Sequence, residues 1–145
     1  MDDIQKEEFL NNFVNSPEEI TLGFLVLGGS FAEGIDLVSD RLIGAIIIGI
    51  GMPKINFVSN KIMDYYKQNE LPGYDYAYLY PGMNKVMQAV GRVIRSETDK
   101  GAVLLIDERY MHRQYNALFK REWSNYKIVY SPNEVSKIIT KFFEK

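Results

Sequence analysis

The sequence has no cysteine and a single histidine, His112. Without cysteine there is no disulfide, no cysteine-ligated iron–sulfur cluster and no zinc ribbon within these residues. With one histidine, neither a histidine-based metal site nor a Ser-His-Asp triad has a basis, and no metal ligands are assigned. A Gly-x-Ser-x-Gly turn is also missing, so self-contained hydrolase chemistry has no evident footing. The lack of cysteine fits a cytosolic protein, and a cytoplasmic location is expected. No apolar run approaches the roughly 18 residues of a membrane helix, and no membrane partner is expected. The opening Met1-Asp2-Asp3-Ile4-Gln5-Lys6 is charged and polar, unlike a signal peptide. A dominant charge is lacking too: the net charge is −2. Any nucleic-acid contact must therefore come from a local patch or a partner domain.

What is present suits one compact domain over residues 1–145, with 46% hydrophobic residues to build a core. Four short apolar runs stand out, at Leu22–Leu27, Ile43–Ile50, Ala102–Ile106 and Tyr126–Tyr130. The first three are apolar at nearly every position, the pattern of strands buried on both faces of a parallel sheet. Between them lie stretches of helical spacing. Phe57–Gln68 carries Val58, Ile62, Tyr65 and Tyr66, and Pro81–Arg95 carries Val86, Val90, Val93 and Ile94. Asp2–Val14 reads as a further amphipathic helix. The last helix opens on Ser131-Pro132-Asn133-Glu134, a capping box with proline at the first helical position. The tyrosine-rich Tyr74–Pro81 reads as a surface loop whose rings pack on the sheet edge. Alternating strands and helices predict an α/β fold with a largely parallel sheet flanked by helices.

Three segments carry candidate chemistry. Gly28-Gly29-Ser30-Phe31-Ala32-Glu33-Gly34-Ile35-Asp36 follows an apolar run directly. Glycines at the carboxyl end of a strand let backbone amides approach a phosphate; a tight strand-to-helix turn is the other reading. Glu33 and Asp36 stand where a Walker A loop would place Gly-Lys-Ser/Thr, so this is not the main triphosphate cradle.

The second segment is Gln88-Ala89-Val90-Gly91-Arg92-Val93-Ile94-Arg95. At ~100° per residue, Gln88, Arg92 and Arg95 share one face, flanked by Asn84 and Lys85. Val86, Val90, Val93 and Ile94 fall opposite, and Gly91 leaves room for close approach. No acid occurs from Pro81 to Arg95. An ordinary solvated face mixes signs, whereas two guanidiniums on one side can fork the oxygens of one polyanion. The third segment, Ile106-Asp107-Glu108-Arg109, is an acid pair at a strand end. The structural role is favoured there, with Asp107 and Arg109 bracing the arginine helix from behind.

The first two segments together resemble motifs V and VI of superfamily 2 helicases, in the DinG/XPD branch. Gly29–Asp36 resembles motif V and Gln88–Arg95 motif VI; Asp99-Lys100-Gly101 and Ile106-Asp107-x-Arg109 match the usual continuation. The resemblance implies the second, RecA-like lobe of a two-lobed motor, with ATP and Mg²⁺ held mainly by an N-terminal lobe and single-stranded DNA as partner. It implies catalytic roles at the ATP for Gln88, Arg92 and Arg95, and cofactor contacts for Gly34, Asp36 and Gly91. It also implies nucleic-acid contacts for Ser30, Phe31 and Glu33. Walker A and the Asp-Glu-Ala-His box are absent, as is the strand expected before Asp2. The chain therefore reads as a fragment of a longer helicase, inactive alone. The alternative is a non-catalytic α/β nucleotide- or phosphate-binding regulatory module.

Overall fold

A computed structural model describes residues 3–14, 18–29, 37, 41–94 and 99–144. Its centre is a pair of parallel strands, β1 (Gly44–Ile48) and β2 (Ala102–Ile106), in register from Gly44 beside Ala102 to Ile48 beside Ile106. Before them comes helix α1 (Asp3–Asn11). The crossover between the strands holds α2 (Phe57–Gln68), a π-helical stretch (Asp75–Leu79) and α3 (Tyr80–Val90). After β2 come a 3₁₀ turn (Glu108–Met111), a short α4 (Arg113–Asn116), a second 3₁₀ turn (Arg121–Trp123) and α5 (Pro132–Phe143). The fold is α/β with a parallel sheet and helices, as the alternation of runs predicts.

The core forms where α3 crosses β1. Val86, Met83 and Leu79 are almost wholly buried and cluster with Ile47, Ile50, Val90, Tyr110 and Tyr115. Val93 is buried as well, so three of the four residues expected to face the sheet do so. The fourth, Ile94, is exposed. Gly82 lets this crossing pack closely, since a Cβ there would stand 3.0 Å from Met52 Sδ and 3.1 Å from Ile50 Cγ2 and push them back.

Several local expectations are corrected. Only two of the four apolar runs are strands; Leu22–Leu27 and Tyr126–Tyr130 have no ladder partner among the described residues. Apolar composition supplies a strand's faces, but its hydrogen bonds need a neighbour. The strands are also not buried on both sides. In β1 Ile47 is buried, whereas Ile46 is 61% and Ile48 78% exposed. The crossover helices cover one face, and the face bearing Ile46, Ile48 and Ile106 stays largely open.

The tyrosine-rich segment is helix, not loop. Residues 73–90 are continuously helical, with the π-helical stretch in the middle. Tyr76 stacks on Tyr66 at 3.9 Å and meets Tyr80 edge-on at 5.1 Å. The Tyr78 hydroxyl donates to Asn60 Oδ1 at 3.0 Å. These contacts fasten the π stretch to α2. Gly73 permits the approach, because a Cβ there would collide with the Met63 carbonyl oxygen. As a result α2 faces the body with Ser59, Met63 and Tyr66, and its Val58, Ile62 and Tyr65 point outward.

The helix ends follow their sequence signals. Asn56 caps α2, its Oδ1 accepting from the Ser59 N–H at 2.9 Å. Ser131 caps α5 by accepting from the Glu134 N–H. Glu134 reaches back one residue further than the usual box and accepts from the Tyr130 N–H at 2.8 Å. Arg41 ties down the end of α1, its Nη2 donating to Leu10 O in the last turn at 3.2 Å and its Nε to Phe13 O just past the helix at 2.6 Å.

Leu79→Ala removes a fully enclosed side chain and is expected to lower stability by about 2–5 kcal/mol. Ile46→Ala, on the open sheet face, is expected to change it by no more than roughly 0.5 kcal/mol. Urea unfolding of the 145-residue chain measures both; equal losses would contradict the one-sided core.

Candidate functional site

Helix α3 runs antiparallel to the strands, which sorts the candidate residues by edge. Its first turn lies over Ile50 and Met52, just past the carboxyl end of β1. The chain beyond its last turn lies at the amino ends, where a Cβ on Gly101 would collide with Val93 Cγ1 and stand 3.1 Å from Ile94 Cδ1 and 3.4 Å from the Ile43 carbonyl oxygen.

Motif VI of the sequence reading therefore straddles a helix end. α3 stops at Val90, Gly91 is its C-cap, and Arg92 follows in a turn. The expected helix to Arg95 is shorter by one turn, because the chain must bend to enter β2 at Ala102. Arg92 N–H still donates to Ala89 O at 3.2 Å and Val93 N–H to Val90 O at 3.0 Å, which winds the turn tightly. Gln88 is exposed on the last turn of α3, and Arg92 is half-buried. Gly91 has φ −63° and ψ −8°, ordinary right-handed geometry, so nothing in its backbone demands glycine. Its value is the missing side chain, which leaves the surface beside Arg92 open. Arg95 lies outside the described residues.

Of the glycine segment, Gly28 and Gly29 are described, while Ser30, Phe31, Glu33, Gly34 and Asp36 lie outside the described residues. Gly28 has φ +78°, a left-handed turn that glycine adopts without strain. The Gly29 N–H closes the turn on the Val26 carbonyl at 2.9 Å. Gly28 lies against Lys85 of α3: a Cβ on it would stand 2.8 Å from Lys85 Cδ. The described start of the glycine segment and the first half of α3 therefore meet at the carboxyl side of the sheet. Arg92 is about 10 Å further along, at the rise of a helix.

A second cluster, unread in the sequence as a unit, closes the carboxyl end of β2. Asp107 caps the following 3₁₀ turn. Its Oδ1 accepts from the Arg109 N–H at 2.9 Å and from Arg109 Nε at 2.8 Å, and its Oδ2 from Nη2 at 2.7 Å. This is a forked pair between residues two apart. It braces its own turn, and among the described residues no hydrogen bond from the pair to the arginine end of α3 is seen. The Arg109 hydrogen bonds hold the Asp107 carboxyl below its ordinary range, and the same pairing raises the Arg109 guanidinium. Next to it, the buried Tyr110 hydroxyl donates to the Gly49 carbonyl at 2.7 Å, and burial pushes its pKa up to about 12. Burial and a hydrogen bond with Tyr115 raise Tyr74. Their residue types are common enough that only the fold reveals this cluster. The motif Asp-x-Arg at a strand end was the one legible trace. Among the described residues, no three His, Cys, Asp or Glu side chains gather to fit a metal such as Mg²⁺. No described helix is long and apolar enough to cross a membrane.

Comparison with known proteins places this geometry. Residues 1–126 match the family model described as the helicase C-terminal domain. The chain is 32% identical over 127 residues to the regulator of telomere elongation helicase 1 homolog of Aedes aegypti, covering 78% of this chain and 13% of that protein. It is 37% identical over 90 residues to the ATP-dependent DNA helicase chl-1 of Caenorhabditis elegans, covering 60% and 11%. It is 36% identical over 89 residues to the ATP-dependent DNA helicase DinG of Photobacterium profundum, covering 60% and 13%. The chain thus spans about an eighth of the length of these relatives.

The two tethers at β2 give opposite pH signatures. Asp107, with its lowered folded value, contributes fully above the ordinary aspartate pKa of about 3.9 and loses the contribution as pH falls below it. Tyr110, with its raised value, contributes fully below about 10, and the contribution is lost as pH rises towards about 12. Asp107→Asn is expected to flatten the acid limb of the stability profile. The cost at neutral pH should be within about 1 kcal/mol, because Arg109 is 37% exposed. Tyr110→Phe is expected to cost about 1 kcal/mol and to flatten the alkaline limb. Thermal unfolding from pH 2 to 12 reads both; a wild-type profile in either variant refutes the assignment.

Proposed function

The chain belongs to the helicase C-terminal domain family, and from that premise we propose that it is the second motor lobe of an ATP-dependent DNA helicase of the DinG/XPD type. The observation that carries the proposal is the span of the family match: residues 1–126 include both the glycine segment and the arginine segment. The same span favours a motor lobe over a free-standing phosphate-binding module. Relatives named as ATP-dependent DNA helicases support the substrate class.

In this proposal the arginine turn is the working part. Phosphoryl transfer develops charge on the transferring oxygens, and fixed donors aimed at that charge lower the barrier. Arg92 follows α3 at the amino edge of the sheet, where a second body can approach past the bare Gly91, and Arg95 comes three residues later in the sequence. An arginine there meets ATP only when the first lobe closes on this one, so hydrolysis is tied to movement. Gln88, an uncharged donor on the preceding turn, positions the phosphate or the attacking water. Gly34 and Asp36 complete the nucleotide side. Ser30, Phe31 and Glu33 contact single-stranded DNA, linking the ATP cleft to the track. Mg²⁺ and the triphosphate cradle belong to the N-terminal lobe. The metal neutralises charge on the phosphates, and this chain contributes the guanidiniums on the other side.

The 145-residue chain alone is therefore expected to show no metal-dependent ATP hydrolysis above background. In the complete helicase, Arg95→Ala and Arg92→Ala are each expected to lower turnover by about 10³-fold or more, with nucleotide binding nearly intact. Gln88→Ala should be milder. Arg95→Lys should recover only part of the loss, since an ammonium does not fork two oxygens. Steady-state ATPase with saturating single-stranded DNA measures these, alongside nucleotide affinity. Near-normal turnover in both arginine variants would make the turn a solvated surface.

A further inference from the structure

Lys85 sits in an unusual place for a lysine that serves no ion pair among the described residues. Its stem is pinned between two glycines on different segments. A Cβ on Gly28 would stand 2.8 Å from Cδ, 3.0 Å from Cε and 3.2 Å from Nζ; a Cβ on Gly51 would stand 3.0 Å from Cδ and 3.2 Å from the Lys85 Cβ. Leu27 Cδ2, 3.1 Å from the same Gly51 position, closes the wall beside it. The side chain is half-buried, and among the described residues its ammonium has no carboxylate and no hydrogen-bond partner. The Gly28 N–H, in the left-handed turn alongside, makes no hydrogen bond there either.

A solvated lysine ordinarily keeps several rotamers, and holding it straight costs side-chain entropy. Here three segments impose that order: the turn after Leu27, the chain after β1, and α3. They hold one cation beside a backbone turn that has no side chain and whose Gly28 N–H is unused among the described residues. An ammonium beside a glycine turn is the chemistry that holds a phosphate oxygen. The positive φ accounts for glycine at 28, and a side chain there would displace the Lys85 stem from its place beside the turn. The site lies towards the carboxyl side of the sheet, about 10 Å from Arg92 by helix rise, so one phosphate cannot serve both.

We propose that Lys85 and the Gly28–Gly29 turn form an anion clamp that takes one phosphate group of a nucleic-acid strand or a nucleotide, separate from the arginine turn. The identity of the polyanion rests on the motor-lobe reading; the clamp itself rests on the geometry of Lys85. Failure of the motor-lobe reading would appear as unchanged ATPase in the Arg92 and Arg95 variants, whereas failure of the clamp appears in binding to the 145-residue chain.

The experiment titrates that chain with a twelve-residue oligothymidylate and, separately, with ATP, following the Gly28 and Gly29 amide resonances by NMR and affinity by fluorescence anisotropy over a range of salt. Lys85→Met keeps the apolar stem without the charge, and Lys85→Arg keeps a charge. A strand phosphate in the clamp predicts shifts at both glycines, about fivefold or more weaker oligonucleotide binding in Lys85→Met, and a salt slope shallower by about 0.7. ATP binding would then be unchanged. Weaker ATP binding with an unchanged oligonucleotide slope would assign the clamp to a nucleotide phosphate. Lys85→Arg should retain most of the affinity in either case. Unshifted glycine amides, Lys85→Met equal to wild type with both probes, or equal losses in the two variants would overturn the clamp.

Discussion

Two parallel strands cannot be joined by a hairpin, and the detour between Ile48 and Ala102 determines nearly everything else in this domain. The connection must climb away from the carboxyl end of β1 and return to the amino end of β2. α3 makes the return, so its axis opposes the strands and its apolar side must fall on Ile47 and Ile50. The same constraint fixes where the polar side points. Lys85, early in α3, is delivered to the carboxyl side, beside Gly28 and Gly51. Arg92, after the helix, is delivered to the opposite edge. One element thus carries two cationic groups to two ends of the sheet, and the crossover topology separates them without any further device.

Packing energy and candidate chemistry share this element but use different faces of it. Val86 and Val90 are held by the core, which leaves Gln88 exposed on an ordered helix rather than on a loop. A group placed this way loses little further freedom when it meets a charged partner, which is the main advantage of building a site on a packed scaffold. The forked Asp107–Arg109 pair serves β2 in the same sense, satisfying the first amide of the turn that leaves the strand. Tyr110 ties that turn back to the end of β1 through Gly49. The carboxyl ends of both strands are therefore cross-braced, and the amino ends are where α3 hands over to Arg92.

Much of this was legible in the residues, and the failures have physical causes. α2 was readable from the spacing of Val58, Ile62, Tyr65 and Tyr66, and the start of α5 because Ser131-Pro132-Asn133-Glu134 announces itself locally. The buried side of α3 followed from the spacing of Val86, Val90 and Val93. The pairing of a glycine segment with Gln88–Arg95 points to the family from the residues alone. Strand status was harder, since Leu22–Leu27 has the composition of a strand but no ladder partner among the described residues. The end of α3 was misplaced because Arg92–Arg95 keeps a helical rhythm, while the turn into β2 is a tertiary demand. The tyrosine run misled in the other direction: Tyr74-Asp75-Tyr76-Ala77-Tyr78 alternates like an extended segment, and its rings pack only because α2 is beside it. The helical spacing marked Lys85 only as a flank of the arginine face, whereas its setting comes from Gly28 and Gly51 across the fold.

The π-helical stretch gives the crossover a built-in phase offset. An α-helix advances ~100° per residue, and each wider i→i+5 turn carries roughly one residue more than an α turn. Everything before Asp75 is thereby rotated relative to everything after Leu79. With that offset, Tyr76 stacks on Tyr66 of α2 while Met83 and Val86 still face β1. Removing a single residue from 75–79 would let the segment relax to α-helix. Because the wide turn carries that residue in surplus, its removal would leave the phase across the segment nearly unchanged, whereas removing one from the α-helical turns on either side would turn one of the two partners away by about a quarter of a circle. In that second case the domain would keep either its tyrosine stack or its valine core, so the number of residues in the flanking α turns is as constrained as the identity of any buried side chain.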